Sequence, residues 1–121
     1  MSEYHKRKTI LCIDDDASVL AYHRTLLEKQ GYEVLIAVSP QHGLQIATVC
    51  GLNAVIVDYH MPEMNGHKIA TEIKRLSPQV PIIMVSGDSE IREQAMPVAD
   101  AFISKDDTSN HLLPLVSRIC G

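Results

Sequence analysis

Four apolar runs in this chain each end on a residue that phosphate chemistry could use. Ile10–Ile13 leads into Asp14, Asp15 and Asp16, and Ala54–Val57 leads into Asp58. Ile82–Val85 leads into Ser86, and Ala101–Ile103, after Ser104, leads into Lys105. Asp14, Asp15 and Asp58 drawn together would form an anionic pocket. Two carboxylates ~4 Å apart repel by about 4 kcal/mol at an effective dielectric of ~20. Such a cluster requires raised pKa values or a cation. Hard oxygen ligands at a hydrated edge suit Mg2+, which takes a few carboxylates and keeps several waters. A pocket of this kind can receive a phosphoryl group, and one carboxylate can serve as nucleophile to give an aspartyl phosphate. Lys105 would hold a phosphoryl oxygen as a mobile cation, and the Ser86 hydroxyl would hydrogen-bond another.

Each residue also has an ordinary reading. Asp14–Asp16 suits a helix cap and turn, Asp58 a loop cap, Ser86 before Gly87 a turn, and Lys105 beside Asp106 and Asp107 a solvated charge. Their joint occurrence at successive strand ends favours the chemical reading. It requires an architecture in which those ends share one edge.

The chain supplies one. Thr9–Ile13 reads as a first strand, followed by a helix capped by Asp16, with Val19, Leu20, His23, Leu26 and Leu27 at helical spacing and Gly31 closing it. Tyr32–Ala37 is a second strand. Ser39-Pro40 starts a second helix with an N-cap serine and a proline at the first helical position, and Gly51 follows its end. Asn53–Val57 is a third strand, and the loop from Asp58 to Gly66 leads to a helix with Ile69, Ile73 and Leu76 on one face. Ser77-Pro78 stops that helix. Val80–Val85 and Ala101–Ser104 are the fourth and fifth strands, and a last helix runs to about Cys120. Strands 1, 3, 4 and 5 lack clean alternation and read as buried on both faces. The strand–helix order therefore predicts an α/β fold with a doubly wound parallel five-stranded sheet. In such sheets ligands bind at the C-terminal strand edge.

Composition sets the bounds. The 121 residues predict a single domain, with residues 1–8 as a short polar tail. The net charge of −4 argues against a nucleic-acid surface. No membrane-length apolar stretch and no secretory leader are visible, so a cytoplasmic location away from the membrane is expected. The three cysteines (12, 50 and 120) have no metal-ligand spacing and read as reduced thiols, and the six histidines form no i, i+4 pair.

Four stretches together resemble the receiver domain of bacterial two-component response regulators. They are Ile10–Asp16, Val55–Gly66 with its D-x-x-M-P-x-M-x-G core, Pro81–Gly87, and Ala99–Lys105. The resemblance covers essentially the whole chain and implies a flavodoxin-like (βα)5 fold with strand order 2-1-3-4-5. It implies that Asp58 accepts a phosphoryl group from a histidine kinase or histidine phosphotransfer protein. It implies Mg2+ as cofactor, held by Asp15, Asp58 and the backbone carbonyl of His60, with Asp14 acting through water. Ser86 and Lys105 would bind phosphoryl oxygens. Ser86 and Phe102 would form the switch that signals to a downstream target or output domain, with a homodimer left open. The side chains of His60 and Asp88 are candidates for tuning dephosphorylation. A protein of this kind would catalyse only its own phosphorylation and dephosphorylation.

The sequence departs from the family pattern at several points. Asp106 follows Lys105 where receivers usually carry a cis proline, so a trans bond and a different loop path are expected. The stretch from Ser86 to Lys105 is short and holds Pro97, which predicts a short fourth helix, near Ser89–Met96. Phe102 stands where tyrosine is usual. Pro114 would interrupt the last helix unless that helix begins near Asn110. Two other functions are weighed against the receiver reading. One is a phosphorylation-independent interaction module. The other is a haloacid-dehalogenase-like phosphatase using Asp14-x-Asp16-x-Ser18, with Ser86 and Lys105 as its later motifs; against it, no acidic motif follows Lys105 on a further strand.

Overall fold

The computed structural model describes residues 7–88 and 98–120. The expected fourth helix at Ser89–Met96, with Pro97, and most of the N-terminal tail lie outside the described residues.

Five parallel strands form one sheet in the order β2-β1-β3-β4-β5. They are β1 (Thr9–Ile13), β2 (Glu33–Ala37), β3 (Ala54–Asp58), β4 (Ile82–Ser86) and β5 (Ala101–Ser104). The helices are α1 (Ala17–Glu28), α2 (Pro40–Val49), α3 (Gly66–Leu76) and α4 (Thr108–Cys120), and a 3-10 turn (Lys105–Asp107) joins β5 to α4. This is the doubly wound, flavodoxin-like arrangement, and its strand order reverses between β1 and β3.

The period of two along each strand divides the core into two layers. Leu11, Ile13, Val55, Val57, Ile82 and Met84 face Ala47 of α2 and Ile69, Ala70 and Ile73 of α3. Ile10, Cys12, Ile56, Ile83, Val85 and Ile103 face Leu20 and Leu27 of α1 and Leu112 and Val116 of α4. Strands β3 and β4 are buried at every residue, which explains their lack of alternation. β5 departs from the expected two-sided burial: only Ile103 is fully buried, because β5 is an edge strand with a single strand neighbour. Leu76 also departs from expectation. It ends α3 and stays 42% exposed, while Ala70 completes the buried face.

Local signals set the element ends. The Asp16 carboxylate accepts the Ser18 N–H at 2.9 Å and caps α1. Gly31, at φ +92°, closes the same helix: its N–H donates to the Glu28 carbonyl, and the Tyr32 N–H donates back to Leu27. Ser39 caps α2, with Pro40 at its first position. β4 begins at Ile82 rather than Val80, because the Val80 N–H turns back onto the Ser77 carbonyl and Pro81 has no N–H to donate.

The expectation for Pro114 needs correction. α4 begins at Thr108 and continues through Pro114, which sits in its interior. The carbonyl orphaned by the missing N–H belongs to Asn110, one turn earlier. Both residues are exposed, so water can take the place of the lost helix bond.

Candidate functional site

The parallel register gathers the strand ends at one edge. Ile13 pairs with Val57, Asp58 with Val85, and Ser86 with Ser104. Asp14 therefore follows β1 directly beside the end of β3. Asp58 ends β3, Ser86 ends β4, and Lys105 follows β5. Residues spread over ninety positions of sequence thus meet in one pocket.

Carboxylate oxygens of Asp14, Asp15 and Asp58 all lie within 4.8 Å of one another. Asp14 and Asp58 are each only 3% exposed, whereas Asp15 is exposed. The Lys105 ammonium sits 3.5 Å from Asp14 Oδ2 and 3.5 Å from Asp58 Oδ1. Ser86 is fully buried, and its Oγ accepts the Asp88 N–H at 3.0 Å. Asp58 Oδ1 accepts the His60 N–H at 3.3 Å, and Asp14 Oδ1 accepts the Asp16 N–H at 2.9 Å. Phe102 lies opposite Met84 in the sheet and packs against the core layer that faces α2 and α3.

The loop after Asp58 is folded tightly under the site. The Tyr59 N–H donates to Val85, and the Gly66 N–H donates to the Tyr59 carbonyl at 2.7 Å. A Cβ at Gly66 would lie 2.7 Å from the Asp58 carbonyl oxygen and 2.7 Å from Met84 Sδ. Only glycine permits this approach. The imidazole of exposed His60 meets the Tyr59 ring edge-on, with centroids 5.0 Å apart.

Burial dominates the electrostatics. It pushes the Asp58 carboxyl up to about 6, helped by the neighbouring Asp14 charge and opposed by Lys105. Asp14 is raised as well, first by burial, with the Asp16 amide and Lys105 pulling the other way. Burial works against the Lys105 charge, but Asp58 and Asp14 together outweigh it and push its pKa up. One ammonium facing three carboxylates leaves the pocket with excess negative charge. Its all-oxygen, partly open donor set fits a hard divalent cation such as Mg2+. Cys12, beside Asp14 in sequence, is held inert: burial, then Asp14, push its thiol up to about 12.

The family described as the response regulator receiver domain matches residues 10–117. The chain belongs to that family. Among its relatives, the autoinducer 1 sensor kinase/phosphatase LuxN of Vibrio harveyi is 32% identical over 106 residues, which is 86% of this chain and 12% of LuxN. The receiver domain protein from Clostridium thermocellum is 34% identical, with a TM-score of 0.86 over 93% of this chain and 94% of that one. TrrA of Thermotoga maritima, solved with Mg2+ and BeF, is 26% identical, with a TM-score of 0.87 over 93% of this chain and 98% of TrrA. The chain spans between 12% and 47% of the length of the curated relatives it matches.

Asp14, Asp15, Asp58 and Lys105 form one cluster, with Ser86 buried at the same edge. Asp16 stands apart: its carboxylate is committed to Ser18, accepting from both the backbone N–H and the hydroxyl at 2.6 Å. That use accounts for the D-x-D spacing without a phosphatase motif. No peptide bond among the described residues is cis, in line with the trans bond expected at Asp106. Sequence reasoning missed the hold on Lys105 itself. The Thr108 hydroxyl donates to the Lys105 carbonyl at 3.1 Å, and the Ser104 hydroxyl accepts the Asp106 N–H at 3.3 Å. The signal was present as a serine and a threonine bracketing Lys-Asp-Asp, a capping pattern.

Proposed function

We propose that this receiver domain is a phosphorylation switch that accepts a phosphoryl group on Asp58. The observation that carries the reading is the placement of the Lys105 ammonium at equal distance from buried Asp58 and Asp14, beside the exposed carboxylate of Asp15. Asp58 is the nucleophile because it is central, buried and fixed at the end of β3. One of its oxygens attacks the phosphorus of a phosphohistidine on a histidine kinase or phosphotransfer protein. A P–O bond forms to Asp58 as the P–N bond breaks, and the imidazole nitrogen keeps the electron pair and takes up a proton. Lys105 leaves its ion pair with Asp58 to follow the new phosphoryl oxygens, and the Ser86 hydroxyl donates to another. Asp14, Asp15, Asp58 and the His60 carbonyl would hold Mg2+, which when bound neutralises charge developing on the transferred group.

The product carries more negative charge than the free carboxylate, so Lys105 and Ser86 are drawn toward it. Ser86 and Ser104 are paired neighbours, and Phe102 lies on the same edge strand. A shift of Ser86 is thereby passed to β5 and to the face it shares with α4, a change in population between two packings. Downstream partners would read that face. In this reading the domain acts on no outside substrate and catalyses only its own phosphorylation and the hydrolysis that ends it, with His60 and Asp88 as the candidates for tuning that hydrolysis.

Incubation with acetyl phosphate and Mg2+ tests the assignment. The expected result is a phosphate-affinity gel shift that disappears in Asp58→Asn. A shift that persists in that variant would overturn it. The alternative, an interaction module that works unphosphorylated, predicts no shift at all and no Mg2+-induced NMR changes at Asp15, Asp58 or His60.

A further inference from the structure

Lys105 works at the end of a long, flexible side chain that is 33% exposed, so burial alone does not fix its ammonium. Its ion pairs with Asp14 and Asp58 hold the tip, and the direction of the stem is set at its base. That base is the peptide unit joining Lys105 to Asp106, and both polar ends of the unit are held. At one end the Lys105 carbonyl accepts two bonds from Thr108, one from the backbone N–H and one from the hydroxyl at 3.1 Å. At the other end the Asp106 N–H donates to the Ser104 hydroxyl at 3.3 Å. Ser104 is itself fixed in the sheet opposite Ser86, and Thr108 is buried, only 5% exposed, at the start of α4. One peptide plane is thus pinned between strand and helix, with the two side-chain hydroxyls gripping its opposite edges.

We propose that Ser104 and Thr108 are positioning residues for Lys105. Their hydroxyls fix the rotation of the Lys105–Asp106 peptide plane and so direct the lysine stem toward the Asp58–Asp14 pair. Neither residue touches the carboxylates; each acts through Lys105. A plane free to rock would let the ammonium sample solvent, at a loss of contact with the group bound on Asp58. The reading rests on the proposed role of Lys105 in holding phosphoryl oxygens, but the order of the lysine can be measured without any ligand.

The experiment uses the full chain with Thr108→Val, Thr108→Ser and Ser104→Ala, all checked for folding by circular dichroism. The first readout is the NMR order parameter of Lys105 Cε in the free protein. The second is affinity for beryllofluoride with Mg2+, as a stand-in for the phosphoryl group. Thr108→Val and Ser104→Ala are expected to lower the order parameter and to weaken beryllofluoride roughly fivefold each, the equivalent of one ordinary hydrogen bond. Thr108→Ser, which keeps the hydroxyl, should restore both. In a Lys105→Ala background, the two substitutions should cost no further affinity. A lysine as ordered in the variants as in the parent would overturn the proposal, as would an equal affinity loss in the Lys105→Ala background. If Thr108→Val does not fold, Ser104→Ala and Thr108→Ser decide by the same readouts. A parent protein that binds no beryllofluoride would instead defeat the phosphoacceptor reading, and the order parameter would still decide the positioning claim.

Discussion

Replacing Asp58 with asparagine should make the metal-free domain more stable at neutral pH. Burial raises the folded-state pKa of Asp58 to about 6 from an ordinary 3.8. Above pH ~7 the carboxylate is ionised in both states, and the folded state bears the cost of a charge that is poorly solvated. Roughly two pH units at 1.36 kcal/mol each give about 3 kcal/mol. The Lys105 attraction is already contained in that net shift, and water at the pocket mouth screens part of the rest, so we expect a gain of about 1–3 kcal/mol. The sign follows from linkage. A raised folded pKa means that the folded state binds the extra proton between pH 6 and pH 3.8, so wild-type stability recovers as pH falls through that window. The advantage of Asp58→Asn should therefore be full at pH 8 and vanish by about pH 3.5. Urea unfolding followed by circular dichroism in EDTA, across that pH range, measures it. Added Mg2+ should then stabilise the wild type more than the variant, because a ligand bound only to the folded state raises stability. A variant no more stable than wild type at pH 8 would refute the reasoning, as would an advantage that persists unchanged at pH 3.5.

Three further changes probe the scaffold around the site. Gly66→Ala places a Cβ against the Asp58 carbonyl and Met84 Sδ, both at 2.7 Å, and should cost about 1–3 kcal/mol by thermal unfolding while weakening Mg2+ binding. Pro114→Ala restores a donor to the Asn110 carbonyl inside α4 and should stabilise the domain by about 1 kcal/mol or more in urea. His23 is buried on α1, and burial, then Lys105, lower its pKa. The unfolded chain therefore takes up the proton first, and stability should fall as pH drops below the ordinary 6.5; His23→Leu should flatten that part of the pH profile.

Much of the fold was legible because the local signals agreed with one another. Asp16, Ser39-Pro40 and Gly31 each marked a helix end that the structure shows, and the unbroken apolar runs at Ala54–Val57 and Ile82–Val85 became the two strands buried on both faces. The polar residue after each run was legible as a site only jointly, since a lone aspartate or serine at a strand end is ordinary turn chemistry. Where the reading slipped, tertiary context decided. β5 reads as a short apolar run, as β4 does, but lies at the sheet edge, and sequence does not reveal how many neighbours a strand will have. Leu76 continues the periodicity of α3, yet falls at its end and stays exposed. Pro114 was read by its intrinsic cost, but Pro114 and Asn110 are both exposed, so water can take the place of the lost bond and reduce that cost. The grip of Ser104 and Thr108 on one peptide plane left only a capping pattern in the sequence, because hydroxyls are common at strand and helix ends and the fold decides which groups they meet.

The most direct test of the account is to trap the phosphorylated residue chemically. The chain would be treated with acetyl phosphate and Mg2+ and reduced with borohydride, which converts an aspartyl phosphate to homoserine. Peptide mass spectrometry then locates the change. The account predicts homoserine at position 58 and nowhere else. Homoserine at position 14 or 15 with Asp58 intact, or no conversion in a protein shown to bind Mg2+ through Asp15 and Asp58, would contradict it.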